Sequence, residues 1–175
     1  MDGQKEMPPA IQPHWLQRVV IGRNPRVTLI RILILAATSL ILFTVVFLPI
    51  RIQGISMYPT YKEGRINFVN RLAYRFHEPR RGDIVSIRFS GYHVMLMKRI
   101  IGLPGESIAF HAGKTWINGQ PLDEPYVKTR WNWEQPPRRL GPDEYYVVGD
   151  NRSMPQEDHT QGGAARDRIV GKVLL

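Results

Sequence analysis

The sequence predicts a mostly β protein, in which a single N-terminal transmembrane helix is followed by an all-β domain. Two observations lead to this fold class. Residues 32–50 carry no charge, and beyond Arg51 the apolar residues come in short groups that are separated by Gly, Pro, Asn and Asp. Groups of that length and composition are typical of β-strands. Because no long helical period of apolar residues follows Arg51, no further long helix is expected.

The composition sets broad limits on the kind of protein. A chain of 175 residues that is 43% hydrophobic and 10% aromatic is not a disordered chain. The net charge is +9, but acidic residues are scattered among the basic ones. We therefore expect the charge to favour anionic lipid surfaces, and we expect no nucleic-acid binding. The absence of cysteine excludes disulfides and thiolate zinc sites.

The uncharged run predicts a transmembrane signal anchor at residues 32–50, because its 19 residues approach the ~20 needed to cross a bilayer. Residues 47–50 offer no small-x-small cleavage site, which argues against a cleaved signal peptide. Arginines shortly before the run place the N-terminus in the cytoplasm by the positive-inside rule. They are Arg18, Arg23, Arg26 and Arg31. Residues 1–31 are then cytoplasmic, and residues 51–175 form an extracytoplasmic domain.

Strands are expected throughout that domain. The predicted strands are residues 65–70, 83–89, 93–101, 107–110, 115–117, 144–148 and 169–174. Asn118-Gly119 is a strong turn signal and predicts a hairpin at residues 114–122. Residues 122–143 are rich in Pro and Trp without periodicity, and they predict a long surface excursion. Its tryptophans either contact lipid or pack against the sheet.

Ser56 is the candidate nucleophile. It lies in a Gly-Ile-Ser-Met-Tyr-Pro-Thr stretch, residues 54–60, in which the glycine permits close backbone approach and the proline stiffens the chain. Six residue steps from Ile50 keep its hydroxyl within about 20 Å of the predicted span. A serine hydroxyl needs a base to remove its proton, so a partner is required.

Lys98 is the first candidate for that base, because it interrupts an apolar stretch at residues 94–101. Burial favours the neutral amine, and lowering its pKa from about 10.4 to near 7 requires roughly 4 kcal/mol of destabilised charge. Two alternatives stay open from the residues alone. Lys98 could face solvent from an edge strand, or Ser56 could work with His93 and Asp150. Glu157, Asp158 and His159 look like a solvated loop and not a metal site.

Four motifs follow the apolar run in order. They are residues 54–60, Arg-Gly-Asp-Ile-Val at 81–85, Lys-Arg-Ile-Ile-Gly-Leu-Pro-Gly-Glu at 98–106, and Gly-Asp-Asn-Arg at 149–152. In this order the chain resembles the type I signal peptidases, which are membrane-anchored serine endopeptidases. The resemblance implies a signal-peptidase-type catalytic domain that removes signal peptides from exported preproteins, at the plasma membrane of a bacterium.

The resemblance also implies residue roles. Ser56 is then the nucleophile and Lys98 the general base, and the Ser56 amide donates to the oxyanion. Gly54 stands where some members have a hydroxyl, so a backbone-only oxyanion hole is implied. Three further residues resemble those that line apolar pockets for small substrate side chains, namely Ile52, Met57 and Met97. The fourth motif supplies a supporting turn of Gly149, Asp150, Asn151 and Arg152.

The chain departs from the family pattern after that turn. Pro155 occupies a position where many members have a serine that orients the lysine, and either Ser153 or a water is expected to replace it. Glu157 or Asp158 takes the acidic position. The resemblance implies no metal or organic cofactor, and the expected partners are signal peptides and the lipid bilayer, with the protein a monomer. A catalytically silent, anchored β-domain that binds peptides is the alternative.

Overall fold

The computed structural model of the protein describes residues 24–90 and 94–174. The chain divides into two compact units, Met1–Phe43 and Thr44–Leu175. Most of the predicted cytoplasmic segment, residues 1–23, lies outside the described residues, and so does His93.

One α-helix, α1 (Pro25–Val46), accounts for the described part of the first unit. None of its residues is buried, and it is apolar on all sides, as is typical of a helix that faces lipid. Its length and composition are sufficient to cross a membrane. That the helix spans a membrane stays a prediction.

The bounds of α1 differ from those of the predicted span. The helix begins before residue 32, at Pro25, because proline is well suited to the first helical position and Arg26 and Arg31 do not interrupt a helix. Residues 47–50 belong instead to strand β1 (Phe47–Arg51), which pairs with β2 (Ile66–Asn70). The uncharged residues 32–50 therefore do not form one helix, because residues 32–46 belong to α1 and residues 47–50 belong to β1.

The second unit contains two antiparallel sheets. Besides β1 and β2, the strands are β3 (Ile84–Ser90), β4 (Val94–Gly102), β5 (Ser107–His111), β6 (Lys114–Ile117), β7 (Gln120–Pro121), β8 (Gln135–Arg139), β9 (Glu144–Val148), β10 (Gly162–Ala165) and β11 (Ile169–Val173). The larger sheet has the order β1-β2-β11-β3-β4-β9-β10, and the smaller one has the order β7-β6-β5-β8. The prediction of a mostly β fold is confirmed.

All seven predicted strands are present, with ends that shift by about one residue. The predicted hairpin is also present, since β6 and β7 are joined by Asn118 and Gly119 with φ of 51° and 78°, as a type I′ turn requires. Three strands were not predicted, namely β1, β8 and β10, which are rich in proline or glycine or continuous with the apolar helix. The short strand β7 was predicted only as the second arm of the hairpin.

The excursion at residues 122–143 packs on the sheet at one of its tryptophans and exposes another. Trp133 is buried and makes an edge-to-face contact with Phe110, with 5.5 Å between ring centroids. Trp131, by contrast, is 52% exposed. Packing against the sheet is therefore the correct alternative for Trp133.

Candidate active site

Ser56 lies in a tight turn that the chain fixes at both ends. The amide of Tyr58 donates to the carbonyl of Ile55 at 3.0 Å, which makes Ser56 and Met57 the central residues of the turn. Gly54 has a φ of +84°, a conformation that glycine adopts without strain. The side chain of Met57 is buried in the core, so Ser56 is held at the protein surface in a half-buried position.

Asn151 ties this turn to the fourth motif. Its backbone amide donates to the carbonyl of Ser56 at 3.0 Å, and its side-chain Nδ2 donates to the carbonyl of Ile55 at 3.1 Å. Gly149 permits this approach, because a Cβ at that position would lie 2.1 Å from the carbonyl oxygen of Ser56. The predicted supporting turn is therefore in direct contact with the backbone of Ser56.

A cleft of about 360 Å³ opens beside Ser56. Its lining includes Ile52, Met57 and Met97, which the resemblance assigned to apolar substrate pockets. Gly54, which the resemblance assigned to the oxyanion region, lines it as well. Neither the hydroxyl nor the amide of Ser56 has a hydrogen-bond partner within residues 24–90 and 94–174. Both groups are therefore free to bind a ligand that enters the cleft.

Lys98 lies in the middle of the larger sheet and not at its edge. Its strand β4 is flanked by β3 and β9, and only 3% of the residue is exposed. The alternative of a solvent-facing lysine on an edge strand is therefore wrong. Within the described part of the chain its amine has no ion-pair or hydrogen-bond partner. Burial, and secondarily the charge of Arg152, lowers the pKa of Lys98 to about 8.

The structure does not join Ser56 and Lys98 by a hydrogen bond in the residues it describes. Lys98 follows Met97 of the cleft, but it borders a separate cavity of about 70 Å³ together with Thr160 and Gln161. Hydrogen bonds between catalytic groups are often long or unformed in the absence of substrate. The pairing of Ser56 with Lys98 therefore stays a prediction.

His159 lies between these two parts of the site, and it is buried rather than solvated as the sequence suggested. Its Nε2 is 2.8 Å from the point where a Gly149 Cβ would stand, next to the Ser56 carbonyl. Burial and then the charge of Lys98 lower the pKa of His159 to about 4. The ring is therefore neutral at pH 7, and it packs edge-to-face on Trp133 at 5.1 Å.

Asp150 is occupied by other partners and is not oriented towards a histidine. It accepts two hydrogen bonds from Arg99, at 2.7 and 2.6 Å, and a third from the hydroxyl of Thr60. This fully buried carboxylate connects β4 to the segment after the Ser56 turn. A role for Asp150 in a serine-histidine-aspartate triad finds no support in these contacts.

Arg152 is the buried cation of the fourth motif. Its Nη2 donates to Oε1 of Glu124 at 2.7 Å, and its Nε donates to the carbonyl of Gly149 at 2.7 Å. The guanidinium also lies over the ring of Trp133, at 5.3 Å from the ring centroid. Sequence reasoning did not identify Glu124, because it lies in the aperiodic excursion and its burial depends on a residue that is distant in the chain.

The departure at Pro155 is not compensated by Ser153 in this structure. The hydroxyl of Ser153 is 2.7 Å from the side-chain oxygen of Asn151, to which it donates. The first of the two expected replacements is therefore engaged elsewhere. Glu157 and Asp158, the candidates for the acidic position, are both exposed.

A family model described as signal peptidase, peptidase S26, matches residues 26–175. The chain is 33% identical to a signal peptidase I of Leptolyngbya laminosa over 128 residues, covering 69% of this chain and 63% of the relative. It is 32% identical to a probable signal peptidase I-2 of Synechocystis over 130 residues, covering 71% and 60%. Signal peptidase I T of Bacillus subtilis is 34% identical over 151 residues, covering 80% and 78%.

A crystal structure of a signal peptidase I from Enterococcus faecalis aligns with a TM-score of 0.45 and 24% identity, over 55% of this chain and 97% of that one. The chain spans about 60% of the length of the two cyanobacterial relatives. The three relatives named above are all signal peptidases, and therefore belong to the class of peptidases. The chain belongs to the signal peptidase family, peptidase S26, as its ordered motifs predicted.

Proposed function

We propose that the protein is a membrane-anchored serine endopeptidase that cleaves N-terminal signal peptides from exported preproteins with a Ser56-Lys98 dyad. Membership of the signal peptidase family supports the substrate class. The observation that carries the mechanism is the state of Lys98, a buried amine without a carboxylate partner and with a pKa lowered to about 8. Roughly one such amine in ten is neutral at pH 7, which is sufficient for a general base.

In the proposed reaction, an extended signal peptide enters the cleft beside Ser56 and the two catalytic side chains approach one another. Neutral Lys98 accepts the proton of the Ser56 hydroxyl, and the oxygen attacks the scissile carbonyl. The free amide of Ser56 then donates to the oxyanion, a contribution of about 3 kcal/mol for a well-placed donor. The leaving amine takes the proton from Lys98, and water hydrolyses the acyl-enzyme with Lys98 again as the base.

The cleft fits small substrate side chains in this proposal. Ile52, Met57 and Met97 supply apolar walls, and Gly54 leaves open space where a side chain would stand. In an extended peptide, alternate residues face the same side. The first and third residues before the scissile bond therefore face these walls together, and small residues are preferred at both positions.

We further propose that α1 crosses the bacterial plasma membrane once, with the N-terminus in the cytoplasm, and that the protein acts there as a monomer. The apolar surface of the helix supports the span, and the arginines before and within its N-terminal part support the orientation. Because the chain lacks cysteine, single-cysteine labelling tests it cleanly. A membrane-impermeant maleimide applied to intact spheroplasts should label Lys128→Cys but not Lys5→Cys. Labelling of only Lys5→Cys would reverse the orientation.

The enzymatic proposal is tested by cleavage of a model preprotein with a small-x-small site, using the full chain in detergent. We expect the wild type to cut after that site, and Ser56→Ala and Lys98→Met to lose at least about a thousandfold in kcat/KM. Lys128→Met, which removes an exposed lysine, is the matched control and should retain activity.

Two outcomes would contradict the proposal. Cleavage that survives Lys98→Met would place the base on another residue, with His93 the next to substitute. A wild-type protein that binds the preprotein without ever cutting it would favour the peptide-binding alternative. Analysis of the product N-terminus separates cleavage at the intended site from contaminating proteolysis.

A further inference from the structure

Ser86 is a buried serine whose hydroxyl has no partner. It lies on β3 opposite Met97 of β4, and only 1% of the residue is exposed. Its Oγ makes no hydrogen bond in the described part of the chain. Most buried hydroxyls in proteins are paired, because an unpaired one costs stability. The fold itself therefore gives no reason for a hydroxyl at this position.

The position of Ser86 beside the candidate nucleophile does give a reason for a hydroxyl there. Ser86 lines the same cleft as Ser56, where its neighbours include the apolar side chains of Ile52, Met57 and Met97. Each of these neighbours offers a side chain without a hydrogen-bonding oxygen or nitrogen. Arg51, Gln53 and Ser56 also line the cleft, but none of them forms a hydrogen bond with the Ser86 hydroxyl, so a bound ligand can supply the partner that the protein does not.

We propose that Ser86 is a specificity-determining residue that recognises a hydroxyl-bearing side chain, Ser or Thr, at a cleft-facing position of the substrate. This inference rests on the proposed function, because it concerns the peptide that Ser56 cleaves. A hydroxyl both donates and accepts, so a substrate hydroxyl can pair with Ser86 in either direction. Alanine or valine at the same position leaves the Ser86 hydroxyl unpaired when the peptide seals the cleft.

The cleft-facing positions are the first and third residues before the scissile bond, and the experiment varies each separately. Preproteins are compared in the pairs Ser against Ala and Thr against Val, which differ mainly in the hydroxyl. We expect the wild type to favour the hydroxyl-bearing member by about three- to tenfold in kcat/KM at one of these positions. Ser86→Ala should lose that preference, so that its Ser-to-Ala and Thr-to-Val ratios of kcat/KM both fall to about one.

Ser107→Ala is the matched control, since it removes a hydroxyl from β5 of the smaller sheet and Ser107 does not line the cleft. It should preserve the wild-type preference. Ser86→Cys keeps nearly the same volume with a much weaker hydrogen-bonding group, and it should also lose the preference. If Ser86→Ala lost the preference only because its smaller side chain altered the packing, Ser86→Cys would keep the preference.

Equal Ser-to-Ala and Thr-to-Val ratios for the wild type and both Ser86 variants, at both positions, would overturn the inference. That result remains distinct from a failure of the proposed function, in which the wild type cuts none of the preproteins. A preference that persists unchanged in Ser86→Ala would assign the hydroxyl recognition to another group of the cleft, and it would equally overturn the role of Ser86.

Discussion

The carbonyl oxygen of Ser56 occupies the space that a side chain at Gly149 would need. A Cβ built on Gly149 would stand 2.1 Å from that oxygen and 2.8 Å from Nε2 of His159. The turn that carries the candidate nucleophile and the turn that follows β9 are thus in contact through their backbones. This contact, together with the hydrogen bonds from Asn151, fixes the position of Ser56 relative to the larger sheet.

Gly149→Ala should therefore impair activity more than its small volume suggests. The new methyl group can be accommodated only if the backbone at Ser56 moves, and a displacement of about 1 Å can cost about a hundredfold in rate. We expect kcat/KM for preprotein cleavage to fall by about a hundredfold or more. Gly141→Ala is the matched control, because a Cβ there meets nothing closer than 3.7 Å. Equal activity of the two variants would show that the contact is dispensable.

The pH dependence of cleavage should report the titration of Lys98. The protonated amine is inactive as a base, so kcat/KM should rise about tenfold per pH unit below the pKa of about 8 and level off above it. A histidine base would instead give a limb near its ordinary pKa of about 6.5. The measurement is the initial rate of preprotein cleavage from pH 6 to pH 10. A limb centred below pH 7, or a flat profile, would contradict the assignment of Lys98 as the base.

Lys98→Met should stabilise the protein while abolishing cleavage. The folded pKa of about 8 lies below the unfolded value of about 10.5, so the unfolded chain binds more protons between these values and stability rises with pH across that window. Below pH 8 the full cost of the buried charge is present. Its removal should therefore add on the order of 3 kcal/mol to the free energy of unfolding at pH 7, as an upper value.

The gain from Lys98→Met should disappear above about pH 10.5, where the lysine is neutral in both states. Denaturant unfolding of the full chain in detergent at pH 7 and pH 10.5 measures both parts of this prediction. Lys128→Met provides the comparison, since the loss of an exposed lysine should change stability little at either pH. A Lys98→Met protein less stable than the wild type at pH 7 would mean that the amine is not destabilising where it lies.

The parts of the site that could be predicted from sequence are those whose signal is local. Ser56 and Lys98 were predicted as candidates because glycine and proline flank the first and apolar residues surround the second. His159 and Glu124 were missed because their burial comes from contacts with residues distant in the chain, such as the pairing of Glu124 with Arg152 across 28 positions. Similarly, β10 has only glycine and alanine, and its strand character comes from pairing with β9.

Glu124→Gln should destabilise the fold and shift the titration of Lys98. The Arg152–Glu124 pair is almost completely buried, with side-chain exposures of 1% and 0%. Loss of the carboxylate leaves a buried guanidinium without its counter-charge, which typically costs about 3–5 kcal/mol. The charge of Arg152 already lowers the pKa of Lys98, so with less neutralisation that pKa should fall further. The acidic limb of kcat/KM should then move to lower pH.

Glu78→Gln is the control for both effects, because Glu78 pairs with Arg166 at the surface, where its side chain is 72% exposed. An exposed pair contributes about 0–1 kcal/mol, so this variant should remain close to the wild type in stability. It should also leave the pH profile unchanged. If Glu124→Gln were destabilised without any shift of the acidic limb, the buried pair would support the fold alone, and the low pKa of Lys98 would depend on burial rather than on Arg152.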